Sequence, residues 1–221
     1  MGWNDPIDAY CERLGPAFWA EPVNAVTNLA FLIAALVMAR RLRGQRMPLA
    51  WLMVGVLTCI GLGSFAFHTF ATPWAAMLDV VPIGVFILVY LYAANRHFWQ
   101  LSRGWSIFGV ALFIPYAALL VPLFDGLGWL GSSAGYAPVP LLIALYGVAL
   151  RARARQTARG LLIGALVLVV SLTFRTLDLP LCGVFPFGTH VFWHVLNGIM
   201  LGWMIEVYRR HMVARAADEN A

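Results

Sequence analysis

Seven apolar stretches take up most of the chain, at residues 23–39, 48–67, 74–94, 105–124, 137–150, 160–177 and 189–208. A helix needs about 20 apolar residues to cross the hydrocarbon core of a bilayer. Only 11% of the residues are charged, against about 25% in a soluble domain. The expected fold is therefore an all-α integral membrane protein, a seven-transmembrane-helix bundle. The fifth stretch is short, and its crossing is expected to start nearer Ser133. Three parts follow: a polar, acidic N-terminal segment (1–22), the bundle (23–208) and a basic tail (209–221). No linker is long enough to divide the bundle. The N-terminal segment lacks a basic stretch followed by an apolar core and a small-residue cleavage site, so no cleavable signal peptide is expected.

Arginine placement sets the expected orientation. The chain has no lysine, and its fifteen basic residues are all arginine. The connections after stretches one, three and five, and the residues after stretch seven, carry four, two, four and three of them, thirteen in all. The positive-inside rule makes that side cytoplasmic. The N-terminus is then outside and the C-terminus cytoplasmic, which an odd number of crossings requires. The same placement explains the net charge of +5 by topology and excludes a nucleic-acid partner. The expected location is a multi-pass position in a bacterial plasma (inner) membrane. Asp5, Asp8, Glu12, Glu21, Asp79, Asp125 and Asp178 all fall toward the outer side. Carboxylates contribute little to orientation, so this second asymmetry needs its own reason.

Polar residues within the apolar stretches carry the chemistry. His190 and His194 are four apart near the start of stretch seven, and Ser64 and His68 are four apart near the end of stretch two. That spacing puts each pair on one helix face. Asp79 lies early in stretch three. The orientation brings all five to the outer part of the membrane. Three neutral imidazoles with a water in the fourth position form a catalytic zinc arrangement. A carboxylate such as Asp79 can move protons there, and a hydroxyl such as Ser64 can donate to a developing oxyanion.

Plainer readings stand beside this one. The His190–His194 pair also suits two interfacial rings, or ligands for haem or copper. Ser64, next to Gly63, suits helix–helix hydrogen bonding where small residues allow close approach. Asn24, Thr27, Asn28 and Asn197 read as interhelical hydrogen-bond formers, and Phe192 and Trp193 as packing or interfacial aromatics. His97 and His211 sit on the arginine-rich side and read as headgroup-level rings. Arg175 and Asp178 are three apart, at the spacing of a helix-surface pair. Cys59 reads as a small packing residue. Cys11 and Cys182 both fall outside, as a bridge or as two unpaired thiols.

Three segments together resemble the alkaline ceramidase family. They are Tyr10-Cys11-Glu12 with Ala20-Glu21 and Asn24 to Leu29; Gly61-Leu62-Gly63-Ser64-Phe65-Ala66-Phe67-His68 with Met77-Leu78-Asp79; and Asp178 with Cys182 and His190-Val191-Phe192-Trp193-His194. They span nearly the whole chain. The resemblance implies zinc on His68, His190 and His194, Asp79 as the proton shuttle, and Ser64 supporting the water or oxyanion. It implies a calcium ion on Asp8, Glu12 and Glu21, and a Cys11–Cys182 disulfide. Departures concentrate in the N-terminal segment: Asp8 stands one residue further from Tyr10 than in the family pattern, and Leu14 falls where relatives carry a side-chain oxygen. Val80 follows Asp79 where relatives often carry Glu.

The expected activity is hydrolysis of the N-acyl amide of ceramide or a similar membrane lipid, giving fatty acid and a sphingoid base. Two alternatives differ in kind. A receptor-like protein of the progestin and adiponectin type would share the three histidines but have a cytoplasmic N-terminus. A non-enzymatic haem or copper membrane protein would carry a different metal.

Overall fold

The computed structural model describes residues 2–218, and every regular element among them is helical. Six helices are long and apolar enough to cross a membrane: α1 (Pro22–Leu42), α2 (Pro48–Phe70), α3 (Pro73–Phe98), α4 (Arg103–Asp125), α6 (Arg155–Leu177) and α7 (His190–Asp218). The seventh apolar stretch forms α5 (Pro138–Ala149), which has 12 residues. At 1.5 Å per residue it extends only about 18 Å, short of a hydrocarbon core of about 30 Å. A 3-10 turn at Gly131–Ser133 precedes it, with Ser133 buried. Residues 219–221 of the expected tail lie outside the described residues. From residue 209 to Asp218 the chain is the continuation of α7 rather than a separate segment.

Local sequence explains where the helices begin and end. Proline opens α1, α2, α3 and α5, a position where its missing N–H costs nothing and its fixed φ suits the helix. Ala71, at φ 45°, ends α2 in the left-handed conformation. α1 is interrupted at Asn28, whose side chain donates back to the Asn24 carbonyl at 2.9 Å, so the backbone turns at that point. α3 runs past the expected boundary at 94 because its last turn, Ala94–Phe98, widens to a π-helix.

α7 is the axis of the bundle. Its buried residues continue from His190 through Trp193, Asn197, Leu201 and Ile205 to Tyr208. They pack against Phe31, Leu42, Met53, Leu57, Leu161 and Leu168 in one core. Lipid is as apolar as leucine, so helices in a membrane associate by close backbone approach at small residues. Gly198 shows this: a methyl there would fall 2.9 Å from the Ala30 carbonyl carbon of α1. α4 is the opposite case. Among its described residues only Ser106 is buried, while Ile114 and Leu119 are about two-thirds exposed, as expected of a rim helix facing lipid.

The N-terminal segment is not a free arm. The Ile7 N–H donates to the Ala71 carbonyl at 2.7 Å, and Tyr10 packs on Phe67 and Ala75. The segment closes the end of the bundle where α2 stops and α1, α3 and α7 start. The arginines of α1 and α7 gather at the other end.

Candidate metal centre

The last turns of α2 and the first two turns of α7 meet at this closed end. His68, His190 and His194 are each at most 1% exposed. Their ring centroids lie 4.6–5.2 Å apart, and one ring nitrogen from each can be chosen so that all three lie within 4.8 Å of one another. Sequence reading placed two residues per helix face, and the fold turns those faces toward each other.

Each histidine also has a buried ring nitrogen with no hydrogen-bond partner: Nε2 of His68, Nδ1 of His190 and Nε2 of His194. Leaving a buried polar atom unsatisfied costs about 1–3 kcal/mol. Three such atoms in one buried cluster fit a shared metal ion.

The other ring nitrogens support this. His68 Nδ1 is 2.6 Å from Glu21 Oε2. Glu21 also takes hydrogen bonds from Arg13 and, at 3.3 Å, from Asn24. With donors on both its oxygens, Glu21 is the acceptor, so His68 carries its proton on Nδ1 and keeps a lone pair on Nε2. His194 Nδ1 lies 2.9 Å from Thr27 Oγ1. The Thr27 hydroxyl donates its single proton to the Asn24 carbonyl at 3.0 Å, so here too the imidazole donates from Nδ1. Orientation of a metal-ligating imidazole through its second nitrogen is the usual outer-shell device. Tyr10 stacks on the His190 ring with centroids 3.7 Å apart. Thr27 makes the interhelical hydrogen bond expected of it, with His194 as the partner; the stacking of Tyr10 on His190 was not expected, and Glu21 was given a different ligand.

The start of α7 is fixed by Asp178. Its Oδ1 accepts from Thr189 N at 2.7 Å and His190 N at 2.8 Å, and its Oδ2 from Cys11 N at 2.9 Å. This is an N-cap reaching in from the end of α6. Gly188, at φ 68°, is needed beside it, because a Cβ there would lie 2.1 Å from Asp178 Oδ1. The expected Arg175–Asp178 pair is not formed. Asp178 is occupied by backbone donors, and Arg175 turns away to Ser132 and Tyr10 with its guanidinium over the Tyr10, Tyr136 and Trp193 rings. Cys11 and Cys182 are brought to bonding distance, Cα atoms 5.5 Å apart, between the N-terminal segment and the loop before α7.

The three carboxylates expected to hold calcium are not assembled for it. Glu12 accepts from Val23 N at 2.7 Å and Asn24 N at 2.8 Å, one on each oxygen, and so caps α1. Burial pushes its carboxyl up from the ordinary range, and those backbone hydrogen bonds oppose the shift. Glu21 is taken by Arg13, Asn24 and His68. Burial likewise raises its carboxyl, against the Arg13 hydrogen bond. Asp8 is exposed. Among the described residues, the histidines are the one group of three or more metal-ligating side chains whose donor atoms converge.

Ser64 and Asp79 stand beside the histidines on adjacent helices. Ser64 is one turn before His68 on α2, on the same cavity wall as the Asp79 carboxylate of α3. A methyl on Gly63 would fall 1.9 Å from the Leu78 carbonyl oxygen, so only glycine lets the two helices approach this closely. Ser64 and Asp79 both line a cavity of about 80 Å³. Its other walls are mainly apolar, including Phe31, Phe86, Leu91, Trp193 and Met204. It runs from the histidine end toward the middle of the bundle.

The fold is thus a bundle of helices apolar enough to cross a membrane, with a buried three-histidine cluster at one end and a mainly apolar cavity beside it. The chain matches the Ceramidase family over residues 10–220, and it belongs to that family. Among curated proteins, none matches it. Family membership implies a hydrolase of amide bonds with a lipid substrate.

Proposed function

We propose that the protein is a zinc-dependent intramembrane amidase that hydrolyses the N-acyl amide of ceramide or a similar lipid to a fatty acid and a sphingoid base. The observation that carries this is the trio of buried, unpartnered imidazole nitrogens next to Ser64 and Asp79 on the wall of an apolar chamber. His68, His190 and His194 would hold the zinc, an all-nitrogen set that suits this ion and leaves a fourth position open. When bound, zinc acidifies a water molecule and polarises a carbonyl.

The protein's own groups then have distinct tasks. Glu21 and Thr27 keep the His68 and His194 rings in the tautomer and orientation that present lone pairs. The Asp79 carboxylate takes a proton from the attacking water as the water oxygen bonds to the amide carbon. The Ser64 hydroxyl donates to the carbonyl oxygen as charge builds there. Asp79 returns the proton to the amide nitrogen, the C–N bond breaks, and the amine leaves. One water is consumed, and one acid and one amine are formed. The chamber takes hydrocarbon, each buried CH₂ contributing about 0.8 kcal/mol. In this reading the helices make seven crossings, α5 completing its own with the preceding loop. The N-terminus is outside the cytoplasm, in a plasma membrane of bacterial type, and a Cys11–Cys182 disulfide pins the N-terminal segment over the site.

The test is purified protein with defined N-acyl sphingoid lipids, scored for released fatty acid before and after a zinc chelator, with metal content measured in parallel. Release that stops on chelation and returns with zinc is expected. Undiminished release from metal-free protein would overturn the reading.

A further inference from the structure

The carboxylate that the family resemblance assigns to calcium is bound to a cation that belongs to the chain. Arg13 is only 6% exposed. Its Nε donates to Glu21 Oε1, its Nη1 to the Gly15 carbonyl at 2.9 Å, and its Nη2 to the His68 carbonyl at 3.2 Å. One carboxylate and two main-chain carbonyls are the hard oxygens that calcium collects. Here a planar guanidinium takes them all by donation. Leu14, the next residue, is 93% exposed and offers no side-chain oxygen.

The location gives this cation two holds on one imidazole. His68 is in the last turn of α2, where carbonyls lack intrahelical partners and the helix dipole presents its negative end. Arg13 satisfies the His68 carbonyl directly. It also fixes Glu21, whose other oxygen receives His68 Nδ1 at 2.6 Å. Backbone and ring of the same residue are thereby held from a single side chain.

We propose that Arg13 is a tethered cation standing where the family resemblance puts calcium, and that it positions His68 through Glu21 so that the metal centre assembles without calcium. The inference rests on His68 being a metal ligand. It assigns Arg13 a positioning role and no contact with substrate. A covalently attached cation cannot be diluted or chelated away, so assembly of the site is independent of the surrounding calcium concentration.

The experiment reads metal content, calcium retention and thermal unfolding rather than turnover, so it separates this inference from the amidase reading. Wild type, Arg13→Ala, Arg13→Lys and the double variant Arg13→Ala/Glu21→Gln are purified in detergent and measured in EGTA, in calcium chloride and in methylguanidinium chloride. Wild type is expected to retain no calcium and to show the same zinc content and unfolding temperature in EGTA and in calcium. Arg13→Ala is expected to hold zinc about 10–100-fold more weakly, with calcium or methylguanidinium restoring much of the loss and sodium at equal ionic strength restoring none. Arg13→Lys should fall between the two, since an ammonium cannot meet three acceptors in one plane. The double variant, with no charge left to neutralise, should ignore both added cations. Calcium bound stoichiometrically to wild type, or zinc lost from wild type in EGTA, overturns the proposal. So does a folded Arg13→Ala that holds zinc like wild type or responds to neither cation. If Arg13→Ala does not fold, the wild-type calcium measurements and Arg13→Lys still decide: Arg13→Lys holding zinc as tightly as wild type overturns it.

Discussion

The bundle buries polar clusters at both ends, and the two differ in what they leave unsatisfied. At the arginine end, Glu206 of α7 is 3% exposed and accepts from Arg209 at 2.8 and 2.9 Å and from Arg210 at 2.7 Å, with Arg41 of α1 at 3.2 Å. Every carboxylate oxygen there is met by a cation. At the histidine end, Glu12, Glu21, Asp178 and Thr27 are equally well met, yet three ring nitrogens in their midst are not. A cluster that satisfies itself ties helices together. A cluster that leaves three converging ring lone pairs unmet is built to receive something. The contrast separates a structural staple from a binding site better than burial or charge density does, because both ends have those.

The largest effect expected at the histidine end comes from removing a lone pair. His194→Ala should bring zinc content close to zero and amide hydrolysis to background while the protein still inserts and elutes as a folded species. His68→Ala should match it. Full turnover by either variant would break the contrast, since the unpartnered nitrogens would then have no purpose. Asp79→Asn sharpens it: zinc should stay bound, while turnover falls about 10²–10⁴-fold for loss of a general acid–base. If zinc leaves together with activity, Asp79 belongs to the scaffold of the cluster and not to the chemistry.

What could be read from the chain follows physical range. Hydropathy marks helices because lipid contact acts on every residue of a stretch, so the six long helices were visible and only the short α5 fell below the length of a crossing. His190 with His194, and Ser64 with His68, were visible because a helix fixes neighbours four apart whatever surrounds it. Partners from distant segments carry no such signal. Glu21 lies 47 residues before His68, and nothing local distinguishes a carboxylate that orients an imidazole from one that binds calcium. Arg13 is the sharper case, since a lone arginine in an acidic segment reads as solvated until the fold shows it under the end of α2. Glu206 was overlooked for the opposite reason: it sits in an apolar run, and its arginines were already explained by orientation. Arg175 and Asp178 have the spacing of a pair, but stronger partners claim both, backbone N–H groups for Asp178 and aromatic faces for Arg175.

A smaller effect is expected one bond away from the lone pairs. Thr27→Val keeps the volume near His194 but removes the oxygen that accepts its Nδ1–H. The ring then loses its orienting partner, and a second buried nitrogen goes unsatisfied. Zinc affinity should fall about 10–100-fold, with activity recovering when zinc is raised. Thr27→Ser, which retains the hydroxyl, should stay close to wild type. Loss of activity that excess zinc cannot restore would place Thr27 in the chemistry rather than behind a ligand.

The smallest effect belongs to the arginine end, and it tests the other half of the contrast. Glu206→Gln removes the charge that Arg41, Arg209 and Arg210 share but keeps a side chain of the same shape. Arg41 and Arg210 are about half exposed, so water and salt take over much of what each loses, and a pair of this kind contributes only about 0–1 kcal/mol. The buried position of Glu206 puts the expected loss toward the upper end of that range, seen as a drop of a few degrees in unfolding temperature that high salt narrows. Zinc content and turnover should not change, because no described contact links Glu206 to the histidines and the staple leaves no unsatisfied atom facing a ligand. A Glu206→Gln protein that lost zinc would mean the two ends are coupled along α7, and that self-satisfaction does not mark a cluster as purely structural.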